Sequence, residues 1–142
     1  MFGLPDATEG VTLDNQRSVL IVDSSEETRE VLHTALERRG VRTFSTGHAR
    51  QGIELARLHR PDLIVLDLEL DASSPENLSA PFAEQSEATH APLVLLGSVS
   101  RERPLPAGEF VAKPYHYGPL IRRIEELLES VPRESQSCRR CS

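Results

Sequence analysis

Three short apolar runs each end on a charged residue, and those three charges are the ones with which this chain could do chemistry. Val19-Leu20-Ile21-Val22 is followed by Asp23, Leu63-Ile64-Val65-Leu66 by Asp67, and Phe110-Val111-Ala112 by Lys113. The run Leu63 to Leu66, without alternation, suits a strand buried on both faces of a parallel sheet. In such sheets ligands and chemistry gather just beyond the carboxyl ends of the strands. Burying charge there costs free energy unless the groups serve each other or a ligand. Two carboxylates facing a lysine suit a hard cation together with a phosphoryl group, because magnesium takes few protein oxygens, keeps several waters and accepts phosphate oxygens. Asp67 could itself take up a phosphoryl group as an aspartyl phosphate. Any one of these charges could simply solvate a loop at the sheet edge; three of them, at the ends of strands one, three and five, make a cluster.

The elements that must hold these residues are legible in order. Residues 1–16 carry Gly, Pro, Asp, Asn and Thr without periodicity and read as a flexible leader. After the first strand, Ser18 to Val22, either Ser24 or Ser25 can cap a helix, and Ser24-x-x-Glu27 matches a capping box. Val31, Leu32, Ala35 and Leu36 make one apolar face, and Gly40 ends the helix. Val41 to Ser45 reads as the second strand. His48 to His59 reads as a helix with Ile53, Ala56 and Leu58 available for packing, closed by Arg60-Pro61-Asp62 because the residue before a proline leaves the helical region.

Beyond Asp67 the pattern weakens. Residues 68–92 contain Pro75 and Pro81, so the expectation is a short helix from Ser74 or Pro75 that Pro81 kinks or restarts. Pro92 to Leu96 is a fourth buried strand and Glu109 to Lys113 a fifth. Between them, residues 99–108 include Pro104, Pro106 and Gly108. They are too few for a helix of the usual length of about 11–12 residues, so one turn is the most expected there. Gly118-Pro119 starts a last helix whose Leu120, Ile121, Ile124, Leu127 and Leu128 form a stripe ending near Ser130. Strands alternating with helices give an α/β parallel sheet, and right-handed crossovers put helices on both faces.

Composition narrows the function. The 142 residues fit one domain, with 38% apolar content. Trp is absent and the formal charge is -6, which argues against base stacking or phosphate-backbone binding, so no nucleic-acid partner is expected. No apolar run approaches the roughly 20 residues that span a bilayer, and Met1 to Arg17 lacks the basic start and apolar centre of a secretory signal. A cytoplasmic location is expected. The polar segment 132–142 is expected to be a disordered tail. Its Cys138-Arg139-Arg140-Cys141 supplies two thiolates, which alone do not complete a tetrahedral zinc site.

Taken together, Val19-Leu20-Ile21-Val22-Asp23, Arg60-Pro61-Asp62-Leu63-Ile64-Val65-Leu66-Asp67, Pro92-Leu93-Val94-Leu95-Leu96 and Phe110-Val111-Ala112-Lys113-Pro114-Tyr115 resemble the receiver domain of bacterial response regulators, the CheY-like superfamily. The resemblance covers residues 18–131 and makes 17–131 a receiver-like domain. It implies a flavodoxin-like sheet of five parallel strands, order 2-1-3-4-5, with helices on both faces. By it Asp67 is the candidate phosphoacceptor, Asp23 a magnesium ligand with Asp67 and the backbone carbonyl of Glu69, and Lys113 the phosphate-sensing cation. The resemblance also implies a cis peptide before Pro114, and puts Phe110 in the switch-aromatic position with Gly97, Ser98 and Tyr115 in the switch and output region.

The departures from that pattern are as specific. Ser24 stands where receivers carry a second acid after strand one. Gly97 stands where they carry a hydroxyl after strand four, with Ser98 one residue along. Glu69-Leu70-Asp71-Ala72-Ser73-Ser74 replaces the Met-Pro-x-x-Asp-Gly signature, and the fourth helix is shortened or missing. If the lost carboxylate contributes about 1.4 kcal/mol net to holding an ion, magnesium affinity falls about tenfold. Glu26 and Glu27 could reach the ion instead, although a carboxylate in a first helical turn already has the helix dipole to serve. The reading is therefore a degenerate, pseudo-receiver module of two-component or phosphorelay signalling that binds a protein partner, a histidine kinase or downstream effector, with weak magnesium binding and weak or no phosphorylation. A homodimer is an open possibility. The alternative is a working single-domain receiver phosphorylated on Asp67 by a histidine kinase. A small phosphohydrolase is a remote third reading: Asp67-x-Glu69 resembles paired acids of such enzymes, but no Gly-rich phosphate loop is present and the five histidines show no ligand spacing. No catalytic residues are assigned.

Overall fold

The computed structural model describes residues 16–70, 75–98 and 109–130. In chain order the elements are β1 (Ser18–Val22), α1 (Glu26–Arg38), β2 (Arg42–Thr46), α2 (Ala49–His59), β3 (Leu63–Asp67), α3 (Pro75–Thr89), β4 (Leu93–Gly97), β5 (Glu109–Ala112) and α4 (Tyr117–Ser130). The five strands are all parallel, in the order β2-β1-β3-β4-β5. The expected sheet is the observed one. Residues 1–15 of the expected leader, 71–74 with Ser74, 99–108 with the expected loss of the family's fourth helix, and 131–142 with the expected tail and its Cys138 and Cys141 lie outside the described residues; those that are described hold four helices.

β3 and β4 are buried along their whole length, and β1 apart from half-buried Ser18, as unbroken aliphatic runs require. Alternation along the strands sends side chains to two separate cores. Val19, Ile21, Val65 and Leu96 pack with Leu32 and Leu36 of α1 and with Leu120, Ile124 and Leu128 of α4. Leu20, Val22, Ile64 and Leu66 pack on the other face with Ala56 of α2 and with Leu78 and Phe82 of α3. Each fully buried Leu or Ile contributes roughly 1.5–3 kcal/mol relative to exposure, so the sheet is a firm base for whatever its carboxyl edge carries.

Several boundaries differ from the expected ones, each for a local reason. The N-cap of α1 is Ser25, whose hydroxyl accepts from the amide of Thr28; the Ser24–Glu27 capping box does not form because the cap falls one residue later. α1 ends with the Gly40 amide donating to Glu37 and the Val41 amide to Leu36, with Gly40 at φ 82°. That is a Schellman closure, with Val41 and Leu36 in one core. It uses the Val41 amide, so β2 starts at Arg42 rather than Val41.

In α2 the buried positions are Gly52 and Ala56, and Leu58 is 73% exposed. Leu58 lies two residues past Ala56, about 200° around the helix, and cannot share its face. It does not pack as expected.

α3 is the largest difference. It is one helix of 15 residues with Pro81 inside it, not a short helix broken there. Pro81 forfeits one backbone bond, but Leu78 and Phe82 are buried on either side of it. Tertiary burial outweighs the local preference.

Candidate functional site

The register of the sheet brings the three charges together. Val22 pairs with Leu66, so Asp23 and Asp67 leave neighbouring strands at the same level. Gly97 pairs with Ala112, and the Lys113 amide donates to the Gly97 carbonyl at 2.6 Å. Both aspartates are only 2% exposed. Lys113 reaches across β4 and donates from Nζ to Asp67 Oδ1 at 2.9 Å. The same Oδ1 accepts the Glu69 amide at 3.0 Å, while Oδ2 accepts no hydrogen bond from the described residues. Asp23 Oδ1 accepts the Ser25 amide at 2.8 Å, which ties the loop after β1 to the start of α1.

The electrostatics follow from this packing. Burial pushes the Asp23 carboxyl above the usual carboxylate range; the Ser25 amide and the cations Lys113 and Arg29 pull it back, and nearby Asp67 adds to the rise. Burial alone would lower the Lys113 ammonium, but the hydrogen bond and charge of Asp67, with Glu69 added, hold it above the ordinary lysine range. Asp67 thus sits against a committed cation, the partner a carboxylate needs when it is almost wholly buried.

Around these groups lies a cleft of about 550 Å³. It is lined by the charged groups Asp23, Asp67 and Lys113, by the hydroxyl side chains of Ser24, Ser98 and Thr28, and by Tyr115 and Tyr117. Lys113–Pro114 is cis, as the resemblance implies. Thr28 Oγ1 and the Tyr117 hydroxyl lie 3.0 Å apart, and Tyr115 meets Tyr117 edge to face at 6.0 Å.

Of the singled-out residues that are described, Asp23, Ser24, Asp67, Ser98, Lys113 and Tyr115 line the cleft and Glu69 bonds Lys113 and Ser98, whereas Glu26 and Glu27 do not line it and stay exposed in the first turn of α1. Ser24 lines the cleft at the position of the missing acid. Gly97 is pressed by Phe110: a Cβ there would meet its Cε1 at 2.9 Å. Ser98 does reach the site, with its amide donating to Glu69 Oε2 at 2.9 Å and its hydroxyl bonding the same oxygen. Glu69 was expected to offer its backbone carbonyl; its side chain is the larger presence, with Oε1 3.3 Å from Lys113 Nζ. These contacts, the Ser98 hydroxyl first, hold the Glu69 carboxyl below its usual range, against burial, which raises it.

The sequence reading missed Thr28, Tyr117 and Arg29. Thr28 is the third residue after the Ser25 cap, where a small polar side chain faces the strand end, and that spacing was the available signal. Arg29 Nε is buried and finds no hydrogen-bond partner among the described residues, and no spacing announces it.

A sheet in the order 2-1-3-4-5 with two buried aspartates and a lysine converging at its carboxyl edge defines a CheY-like receiver. Residues 19–125 match the profile of the response regulator receiver domain, and the chain belongs to that family, the signalling modules of two-component systems. It is 27% identical over 118 residues to the polar-differentiation response regulator DivK of Brucella anthropi, covering 79% of this chain and 96% of that one. The signal receiver domain of a signal transduction histidine kinase from Syntrophus aciditrophicus is 28% identical and superposes with a TM-score of 0.70 over 82% of this chain and 93% of that one. The receiver domain of a putative LuxO repressor protein from Vibrio parahaemolyticus shares the fold with a TM-score of 0.71 at 19% identity, over 86% and 97% of the two chains.

Receiver domains generally bind magnesium at the acidic site. Here Asp23 and Asp67 would hold the ion, with the Glu69 backbone carbonyl and water as further oxygens. Two carboxylates fit magnesium's modest demand for protein ligands. Ser24 leaves the set one charge short, and no group of three His, Cys, Asp or Glu side chains suited to a metal forms among the described residues. When bound, the ion would neutralise charge on a phosphoryl group. No helix among the described residues is long and apolar enough to cross a membrane.

Proposed function

We propose that this receiver domain works as a degenerate signalling module: it binds a protein partner, a histidine kinase or a downstream effector, and Asp67 is phosphorylated weakly or not at all. The observation that carries this reading is the combination at the carboxyl edge of Ser24 with Gly97 under Phe110. The first removes an ion-binding carboxylate. The second removes the hydroxyl by which a receiver reads its phosphate, and the aromatic ring already fills the space that side chain would need. What remains is a rigid fold with a charged cleft, suited to recognition. We place it in the cytoplasm, where histidine kinases present their phosphoryl groups.

The runner-up, phosphorylation of Asp67, draws on the 2.9 Å bond between Lys113 and Asp67. In that case an Asp67 oxygen bonds to phosphorus as the bond from phosphorus to the donor breaks, and Lys113 neutralises the gathered charge.

A small phosphodonor such as acetyl phosphate, with magnesium, separates the two by intact mass. The degenerate reading expects only a minor labelled fraction. Stoichiometric labelling that Asp67→Asn abolishes would establish the runner-up.

A further inference from the structure

Lys113 Nζ stands between two carboxylates, 2.9 Å from Asp67 Oδ1 and 3.3 Å from Glu69 Oε1. The other Glu69 oxygen accepts two more donors, the Ser98 amide and the Ser98 hydroxyl. A cation, a backbone N–H and a hydroxyl converging beside Asp67 are the donors that a tetrahedral oxyanion takes. In this structure they are taken by the protein's own side chain.

We propose that the Glu69 carboxylate is an internal occupant of an anion seat formed by Lys113 Nζ and the amide and hydroxyl of Ser98, and competes with any phosphate-like oxyanion brought beside Asp67. The proposal rests on the reading of the Asp67 edge as the receiver site. It assigns Glu69 and Ser98 as positioning residues that set how readily the site accepts an anion. Ser98 has two parts: its amide serves whichever anion is present, and its hydroxyl holds Glu69 in place.

The exposure of the contact sets the size of the effect. The Glu69 side chain is 44% exposed and that of Lys113 26%. Exposed pairs of this kind are weak, so an external anion can displace Glu69, and removing it should raise anion affinity several-fold rather than by orders of magnitude. Covalent and free phosphate present the same oxygens. Intact mass separates a phosphoryl group attached to Asp67 from phosphate held reversibly.

The test is titration of the full chain with inorganic phosphate without magnesium, followed at the Ser98 amide by NMR, for wild type, Glu69→Gln, Glu69→Asp and Glu26→Gln. Glu26 is an exposed carboxylate in the first turn of α1 that does not line the cleft, and its variant makes the same charge change outside the seat. The expected result is a several-fold tighter dissociation constant for Glu69→Gln, and a smaller gain for Glu69→Asp, which keeps the charge but withdraws it by one methylene. Glu26→Gln should stay near wild type. Equal gains in Glu69→Gln and Glu26→Gln, or a Glu69→Asp no different from wild type, would overturn the proposal by reducing the effect to bulk charge. Reversible binding needs no labelling of Asp67, so stoichiometric labelling would overturn the degenerate reading and leave this result standing.

Discussion

A β-carbon at position 97 would lie 2.9 Å from Phe110 Cε1 and 3.3 Å from its Cζ. The place of the Phe110 ring and the absence of a side chain at position 97 are therefore two sides of one packing choice. Gly97→Thr should force Phe110 out of its present place, with an overpacking cost of about 1–3 kcal/mol. In a Phe110→Ala background the same substitution should cost much less. Denaturant unfolding of the four proteins measures this coupling; additive effects of the two substitutions would show that the ring does not depend on the glycine.

Asp23 supplies a dependence on pH. Its carboxyl is held above the ordinary value of 3.8, chiefly by burial. The folded state therefore holds this proton more tightly than the unfolded chain. Its ionisation disfavours folding at neutral pH, and that penalty fades as pH falls through the raised value towards 3.8. Asp23→Asn keeps an oxygen for the Ser25 amide and carries no charge. In chelated, metal-free buffer it should melt higher than wild type at pH 7, with the advantage shrinking in acid. An equal melting temperature at pH 7, or an advantage that grows in acid, would contradict the assignment.

Gly52 gives a prediction of unusual sign. A glycine inside a helix normally gains about 0.5–1 kcal/mol on replacement by alanine. Here the added carbon would lie 2.8 Å from Val22 Cγ2 and 3.2 Å from Phe82 Cζ. Gly52→Ala should destabilise the domain by about 1–3 kcal/mol, because α2 can no longer sit this close to β1. Thermal unfolding decides between the two signs.

What could be read beforehand follows the physics of each feature. β1, β3 and β4 carry unbroken four-residue aliphatic runs bounded by turn and breaker residues, the pattern of a short doubly buried strand, so their ends, and the charges after β1 and β3, were visible in one dimension. α3 was not, since Pro81 is a strong local signal and the burial of Leu78 and Phe82 that overrides it exists only in the folded chain. Leu58 misled because adjacency in sequence hides its place on the far side of α2. The side-chain role of Glu69 and the contact of Phe110 with Gly97 join residues 29 and 13 positions apart (98 − 69 and 110 − 97). Such distances leave no periodic trace; the anomalies at Ser24 and Gly97 were the only hints.

The central claim is that the edge keeps its shape and lacks one carboxylate for magnesium, and a magnesium titration of wild type beside Ser24→Asp tests it most directly. Followed by amide NMR shifts around Asp23 and Asp67, wild type should bind at least about tenfold more weakly than the variant, the cost of one carboxylate contributing about 1.4 kcal/mol. Equal affinities in the two proteins would contradict the account, because the serine would then cost the site nothing.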